Sequence, residues 1–262
     1  MLSDFDMIVK HFPERDDIII YPIADVHLGA AEHMKKEWET FCKELLKQPN
    51  AYIILGGDLI NNATKSSVSN VYEEVLRPRE QKRLITEMLA PLKDRILCAV
   101  GGNHERRSAK DVDNDITYDI MAKLDLEDVY RENIAFLKIQ MGNIKNDGRK
   151  NPTYSIAITH GSGGGLMTGS TVNRAERFGY VFDGQLDCLI VGHSHKPFVT
   201  QPQKIHIDTQ HNRVSYKPFK VVCATSWLEY GGYAVQKMLL PSGHALQTIT
   251  LHGNKKQIDV MM

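Results

Sequence analysis

Five times along this chain an apolar, β-rich run ends in a short loop of Asp, His, Asn and Gly. That recurrence constrains the fold more than any other feature. Asp25-Val26-His27 closes the run at 18–24, Gly56-Gly57-Asp58 the run at 51–55, and Gly101-Gly102-Asn103-His104-Glu105 the run at 95–100. Thr159-His160-Gly161 and Gly192-His193-Ser194-His195 close the runs at 154–159 and 188–191. Ligands of α/β sheets bind beyond the carboxyl ends of strands, so five such loops are expected to meet on one edge.

The segments between these runs read as helices. Residues 32–48 place Trp38, Phe41 and Leu45 at i, i+3 and i+7, and residues 80–93 space Leu84, Met88 and Leu92 by four. Residues 116–124 and 173–182 are two further helical stretches. After Arg131 the character becomes strand-rich, with runs at 135–141 and 154–159 around an NDGRKNP turn, then short strands and turns from Pro197 to Leu251. Strand–helix alternation followed by a strand-rich half predicts an α/β fold, a four-layer α/β/β/α sandwich of two mixed sheets with outer helices. The whole of 1–262 is expected to be one domain, with an aperiodic insertion around 61–79.

Composition narrows the partners. Thirty-two basic and 32 acidic residues balance to a formal charge of +0, which excludes binding to nucleic acid or an anionic membrane through bulk positive charge, though not through a local basic track. The four cysteines form no CxxC pair, and Cys98, Cys188 and Cys223 sit in apolar runs, as buried thiols of a reducing compartment do. The N-terminus has no uninterrupted apolar h-region, and the run at 18–24 is too short to span a bilayer. A cytoplasmic protein without a membrane partner is expected.

The polar loops carry a metal-binding chemistry. Asp25 and Asp58 offer carboxylate oxygens, Asn103 a neutral oxygen, and His27, His160, His193 and His195 imidazole nitrogens. This mixed set suits Mn²⁺, Fe or Zn²⁺ better than Ca²⁺ or Mg²⁺, and seven donors are too many for one catalytic ion. In extended segments the pairs Asp25/His27 and His193/His195 would each point to one side, so that each pair addresses one site. A single histidine on a strand is more often packed than metal-bound; seven filled positions together are not explained that way.

The ordered set DxH, GD, GNHE, H and GHxH, from Asp25 to His195, resembles the calcineurin-like metallophosphoesterase superfamily. The resemblance implies two divalent ions, Mn²⁺ foremost. Asp25, His27 and His195 would hold the first, Asn103, His160 and His193 the second, and Asp58 would bridge them. It implies hydrolysis of phosphate esters by a metal-bound hydroxide, with His104 contacting phosphate and protonating the leaving oxygen. Asn61 fills a slot where many relatives have an acid or histidine, and its side-chain oxygen is expected to orient His104 and leave it with a lower pKa. Arg106 or Arg107 is expected to clamp phosphate, with a solvated helix start as the alternative. The tract Gly161–Gly165 reads equally as a phosphate cradle or a mobile loop. Arg77, Arg79, Lys82 and Arg83 read as a solvated face rather than a nucleic-acid track, and Trp227 and Tyr230 as packing rather than base stacking. His33 reads as capping or surface, and His206, His211, His244 and His252 as structural or exposed.

ADVHLG around Asp25 is similar to the opening motif of SbcD-type repair nucleases, although Asn61 and the GNHE motif depart from their pattern. The expected activity is therefore a phosphodiesterase with nuclease-like activity, on a phosphate ester such as DNA or a nucleotide. The alternative is a nucleotide phosphomonoesterase or pyrophosphatase, and a non-catalytic interaction module is the reading from another class.

Overall fold

The computed structural model describes residues 3–14, 16–65, 67, 71–142, 151–163, 165–183 and 186–262. In chain order the strands are β1 (Ile8–Phe12), β2 (Ile18–Ile23), β3 (Ala51–Leu55), β4 (Ile96–Val100), β5 (Tyr130–Arg131), β6 (Ile134–Met141) and β7 (Thr153–Thr159). Then come β8 (Cys188–Val191), β9 (Phe198–Thr200), β10 (Gln203–Asp208), β11 (Arg213–Pro218), β12 (Lys220–Cys223), β13 (Thr248–Leu251) and β14 (Ile258–Met261). The α-helices are α1 (Lys35–Leu46), α2 (Pro78–Leu89), α3 (Arg106–Val112), α4 (Ile116–Lys123), α5 (Thr168–Gly179) and α6 (Gly232–Gln236).

Two six-stranded mixed sheets face each other. One runs β14-β13-β2-β3-β4-β5 and the other β1-β6-β7-β8-β12-β9. β2, β3, β4 and β5 are parallel, as are β7, β8 and β12, so their carboxyl ends share a direction within each sheet. Strands covered on both faces have no polar alternation: ILCAV of β4 and CLIV of β8 are buried throughout. β6, covered on one face, alternates buried and half-buried residues along IAFLKIQM. The larger core joins the inner faces of both sheets with the buried sides of α1, α2 and α4, through Trp38, Leu45, Ile85, Leu89 and Ile120 among others. A smaller core packs Ala175 of α5 against Leu189, Phe219 and Val221 on the outside of the second sheet. The layered α/β sandwich expected from the sequence is the fold observed.

Element limits differ where local chemistry overrides periodicity. α2 starts at Pro78, because proline fits the first helical position and Glu80 Oε2 accepts the Arg77 N–H at 3.1 Å. α5 starts at Thr168, five residues before the expected start, although TGST is a poor helix-forming run. Its Gly179 lies against the Phe219 ring, where a Cβ would come within 2.4 Å. The insertion expected around 61–79 is described only in part, and the NDGRKNP turn falls largely outside the described residues. Among the described residues no helix is long and apolar enough to cross a membrane.

Candidate metal centre

β2, β3, β4, β7 and β8 each end within three residues of a candidate ligand. The chain then turns through left-handed backbone: φ is +54° at Asp25, +48° at His27, +52° at Asp58, +66° at His193 and +56° at His195. Non-glycine residues rarely adopt this region, with Asp, Asn and His the most tolerant of it. The extended geometry expected for Asp25/His27 and His193/His195 is therefore not observed. Backbone turns, not strand alternation, aim these side chains, and His193 and His195 point into different groups.

In the first group His195 Nε2 lies 3.3 Å from Asp25 Oδ1 and 3.1 Å from His27 Nε2, and His27 Nε2 is 3.8 Å from Asp25 Oδ1. In the second, Asn103 Oδ1 lies 2.8 Å from His160 Nε2 and 2.7 Å from His193 Nδ1, and those two nitrogens are 3.2 Å apart. Asp58 Oδ2 stands between the groups, 3.2 Å from His160 Nε2 and 3.9 Å from His27 Nε2. All seven sequence-predicted metal residues thus come together. Their donor set fits divalent ions. Asp25 Oδ2 accepts the His193 N–H at 2.8 Å, but its buried Oδ1 has no hydrogen-bond donor and faces imidazole nitrogens. With metal–nitrogen bonds of about 2.0–2.1 Å, neighbouring ligands on one ion lie about 3 Å apart, the spacing these nitrogens show.

The protein's own charges are strongly coupled here. Burial opposes ionisation of Asp58, yet His160, His104 and His27 hold its carboxyl well below the usual carboxylate range. Burial likewise opposes protonation of His160, but Asp58 and Asp25 push it up to about 10. Burial and the nearby His104 hold His27 well below an ordinary imidazole. A cation fits where the buried carboxylates of Asp25 and Asp58 share a dry space with the unprotonated imidazole of His27, and it can stand in for the proton that these carboxylates otherwise hold on His160.

Residues 20–197, about two-thirds of the chain, match the family model for calcineurin-like phosphoesterases. The chain belongs to that family. Its members depend on two metal ions, and this calcineurin-like phosphoesterase carries the candidate clusters for them. No curated protein matches the sequence. Among solved structures, a metallophosphoesterase from Sphaerobacter thermophilus is 14% identical, with 93% of this chain and 87% of that one covered and a TM-score of 0.39. The calcineurin-like phosphoesterase YfkN from Bacillus subtilis is 12% identical, with 94% and 90% covered and a TM-score of 0.37.

Around the phosphoesterase's candidate metal ligands, three sequence expectations are revised. His104 Nε2 faces Asp58 Oδ2 at 3.8 Å, and His104 Nδ1 donates to Asn61 at 2.7 Å. The acceptor, however, is the Asn61 backbone carbonyl; the Asn61 side chain donates to Glu74 Oε1 at 2.8 Å. The His104 pKa is lowered, but burial and the Arg107 charge lower it, while Asp58 and the Asn61 carbonyl act in the opposite direction. Arg106 turns away, donating to the Glu132 and Gly101 carbonyls at 2.8 and 3.3 Å. Arg107 instead faces the site, with Nη2 3.0 Å from His104 Nε2 and Nη1 3.1 Å from the Asn61 carbonyl.

Glu105 received no role from the sequence. Its carboxylate is 1% exposed and accepts four backbone N–H groups: Oε1 those of Leu59 and Ile60 at 2.6 and 3.2 Å, Oε2 those of Asp58 and Gly102 at 3.0 and 3.1 Å. It ties the Asp58 loop to the Asn103–His104 loop. Gly57 and Gly102 let these loops touch: a Cβ on Gly102 would sit 2.1 Å from the Asp58 nitrogen. Asn62 adds a second tie, donating to the His104 carbonyl at 2.7 Å. The E of GNHE and the second N of GDLINN were the available signals.

The remaining singled-out residues are structural. His33 donates from Nδ1 to the Val26 carbonyl at 2.8 Å and does not cap α1, whose N-cap is Met34. Lys82 and Arg83 pair with Asp119 and Glu87 on the surface of α2. Trp227 is buried edge-on to Trp38, with ring centroids 5.1 Å apart, whereas Tyr230 is half exposed. In the glycine tract, Arg174 donates to the Ser162 carbonyl at 2.5 Å and Lys196 to those of Gly165 and Leu166 at 2.5 and 2.7 Å; Gly164 lies outside the described residues.

Proposed function

We propose that the chain, read as one domain over 1–262 with an insertion around 61–79, is a cytoplasmic two-metal phosphodiesterase with nuclease-like activity. The observation that carries the reading is the convergence of Asp25, His27, Asp58, Asn103, His160, His193 and His195 beside His104. Asp25, His27 and His195 would hold one ion and Asn103, His160 and His193 the other, with Asp58 shared; the N/O donor set favours Mn²⁺, with Fe and Zn²⁺ as alternatives. When bound, such ions neutralise phosphoryl oxygens and lower the pKa of the attacking water.

The chain's own residues then have separable tasks. The Asn61 carbonyl accepts from His104 Nδ1, so His104 Nε2 is the nitrogen presented to the leaving oxygen. Arg107 occupies Nε2 in this structure. A phosphate that engages the Arg107 guanidinium frees Nε2, and its negative charge favours the protonated imidazole that delivers a proton to the leaving group. Arg107 is the basic side chain in contact with His104, and this supports it as the group that meets substrate phosphate. The similarity of ADVHLG around Asp25 to the opening motif of SbcD-type nucleases supports the diester reading over a nucleotide phosphomonoesterase or pyrophosphatase. The four buried free cysteines support the cytoplasmic assignment.

The test compares bis-p-nitrophenyl phosphate with p-nitrophenyl phosphate in Mn²⁺, followed by single-stranded and duplex DNA. Preference for the diester, with DNA cleavage, is expected. Preference for the monoester without cleavage refutes the nuclease reading, and inactivity together with failure to bind any divalent ion favours an interaction module. Asp58→Asn is expected to abolish activity and to weaken binding at both ions by calorimetry.

A further inference from the structure

β10 and β11 form a separate two-stranded ribbon whose amphipathicity is reversed. In an antiparallel pair, directly opposed residues lie on the same face. Ile205 opposes Tyr216 and Ile207 opposes Val214. These four side chains are 69%, 71%, 69% and 63% exposed. The other face carries the pairs Lys204–Lys217, His206–Ser215 and Asp208–Arg213. Lys204, Asp208, Ser215 and Lys217 of that polar face are half-buried. The Lys204 ammonium donates to the Phe182 carbonyl and lies 5.3 Å above the Phe219 ring.

A ribbon half covered by protein ordinarily turns its apolar face inward. A one-residue slip in pairing would restore that order, so the register holds the apolar face outward. Two contacts fix it: the Lys204 anchor at the base, and Asp208 at the tip, whose carboxylate accepts from the Gln210 and His211 backbone N–H groups at 3.1 Å. An isolated two-stranded ribbon is marginal in water, and this one displays its most water-averse surface.

We propose that this face is a homodimer interface, in which the ribbons of two copies of the chain pack face to face. The four side chains expose on the order of 500 Å² per copy, so their full burial in two copies covers on the order of 1,000 Å², the lower bound for a biological interface and the size of a weak dimer. At the ribbon's base the half-exposed Tyr180 donates its hydroxyl to the Gln203 carbonyl at 3.3 Å. The arrangement is self-complementary. A two-fold axis between the two cross-strand pairs sets the bulky Ile205/Tyr216 pair of one copy over the smaller Ile207/Val214 pair of the other. The ribbon joins β9 to the amino-terminal end of β12, opposite the strand ends that bear the metal residues. Dimerisation therefore leaves that centre open.

Sedimentation velocity of the full chain tests this. A species of twice 29.7 kDa at micromolar concentration is expected. Ile207→Lys combined with Val214→Asp is expected to give the monomer, with unchanged Mn²⁺-dependent turnover per chain where turnover is present and an unchanged circular dichroism spectrum. A parent that stays monomeric up to about 100 µM, well above a micromolar dissociation constant, overturns the proposal. So does a dimer that survives the double substitution, or flotation of a monomeric parent with anionic vesicles, which would assign the face to a lipid surface.

Discussion

Replacing Glu105 by glutamine isolates what holds the two central loops together. Each carboxylate oxygen accepts two backbone N–H groups, and all four bonds are buried. Glutamine keeps one acceptor oxygen and turns an NH₂ toward the other two amides, leaving donor against donor. An unsatisfied buried N–H costs about 1–3 kcal/mol, so two cost roughly 2–6 kcal/mol. Removing the charge returns part of this, because burial and the neighbouring Asp58 already push the Glu105 carboxyl up to about 7. A net loss of about 2–4 kcal/mol is expected. At roughly 2–4 °C per kcal/mol for a chain of this size, that lowers Tm by about 5–15 °C. Differential scanning calorimetry of the parent and Glu105→Gln reads it directly. Turnover falls as well, because Asp58 and Gly102 lose their common anchor. A Tm within about 2 °C of the parent would refute the anchoring role.

Three further perturbations separate neighbouring assignments. Asn61→Ala keeps the backbone carbonyl that accepts from His104, so turnover on bis-p-nitrophenyl phosphate stays within a few-fold of the parent, while His104→Ala loses roughly 10²–10⁴; an Asn61→Ala loss as large as that of His104→Ala places the function in the Asn61 side chain after all. Arg107→Ala lowers kcat/KM by about tenfold or more, whereas Arg106→Ala alters turnover little, and equal effects contradict the observed division of the two arginines. His252, with Nδ1 2.7 Å from Asp17 and Nε2 2.7 Å from Asp259, has its pKa raised, first by Asp259 and also by Asp17, so its contribution to stability is complete below pH 6.5 and disappears as pH rises through its folded value. The Tm difference between the parent and His252→Gln is therefore larger at pH 5.5 than at pH 8.5, and a constant difference removes this linkage.

Much of the fold was written in local pattern. The apolar runs at 51–55 and 188–191 became β3 and β8 with the same limits, since a strand buried on both faces needs no other signal. The meeting of five polar loops followed from strand polarity alone. What escaped depended on angles that residue types do not encode. Arg106 and Arg107 are consecutive on a helix, about 100° apart in direction, and only the phase of α3 decides which one meets His104. Whether Asn61 uses its amide or its backbone depends on where Glu74 folds back. The outward apolar face of β10 and β11 was equally hidden, because alternation marks two faces without saying which one meets water.

The left-handed backbone at Asp25, His27, Asp58, His193 and His195 has a consequence for how such a protein changes over time. Each of these positions stores strain on the order of 1–3 kcal/mol that only the surrounding fold maintains. Glycine at any of them relieves strain, whereas a β-branched or bulky replacement adds to it. Selection for hydrolysis therefore works against the chain's own stability at five places at once. Were that selection relaxed, glycine would enter most readily at His27, His193 and His195, whose side chains hold no backbone amide, and least readily at Asp25 and Asp58, whose carboxylates accept the His193 and His104 N–H groups.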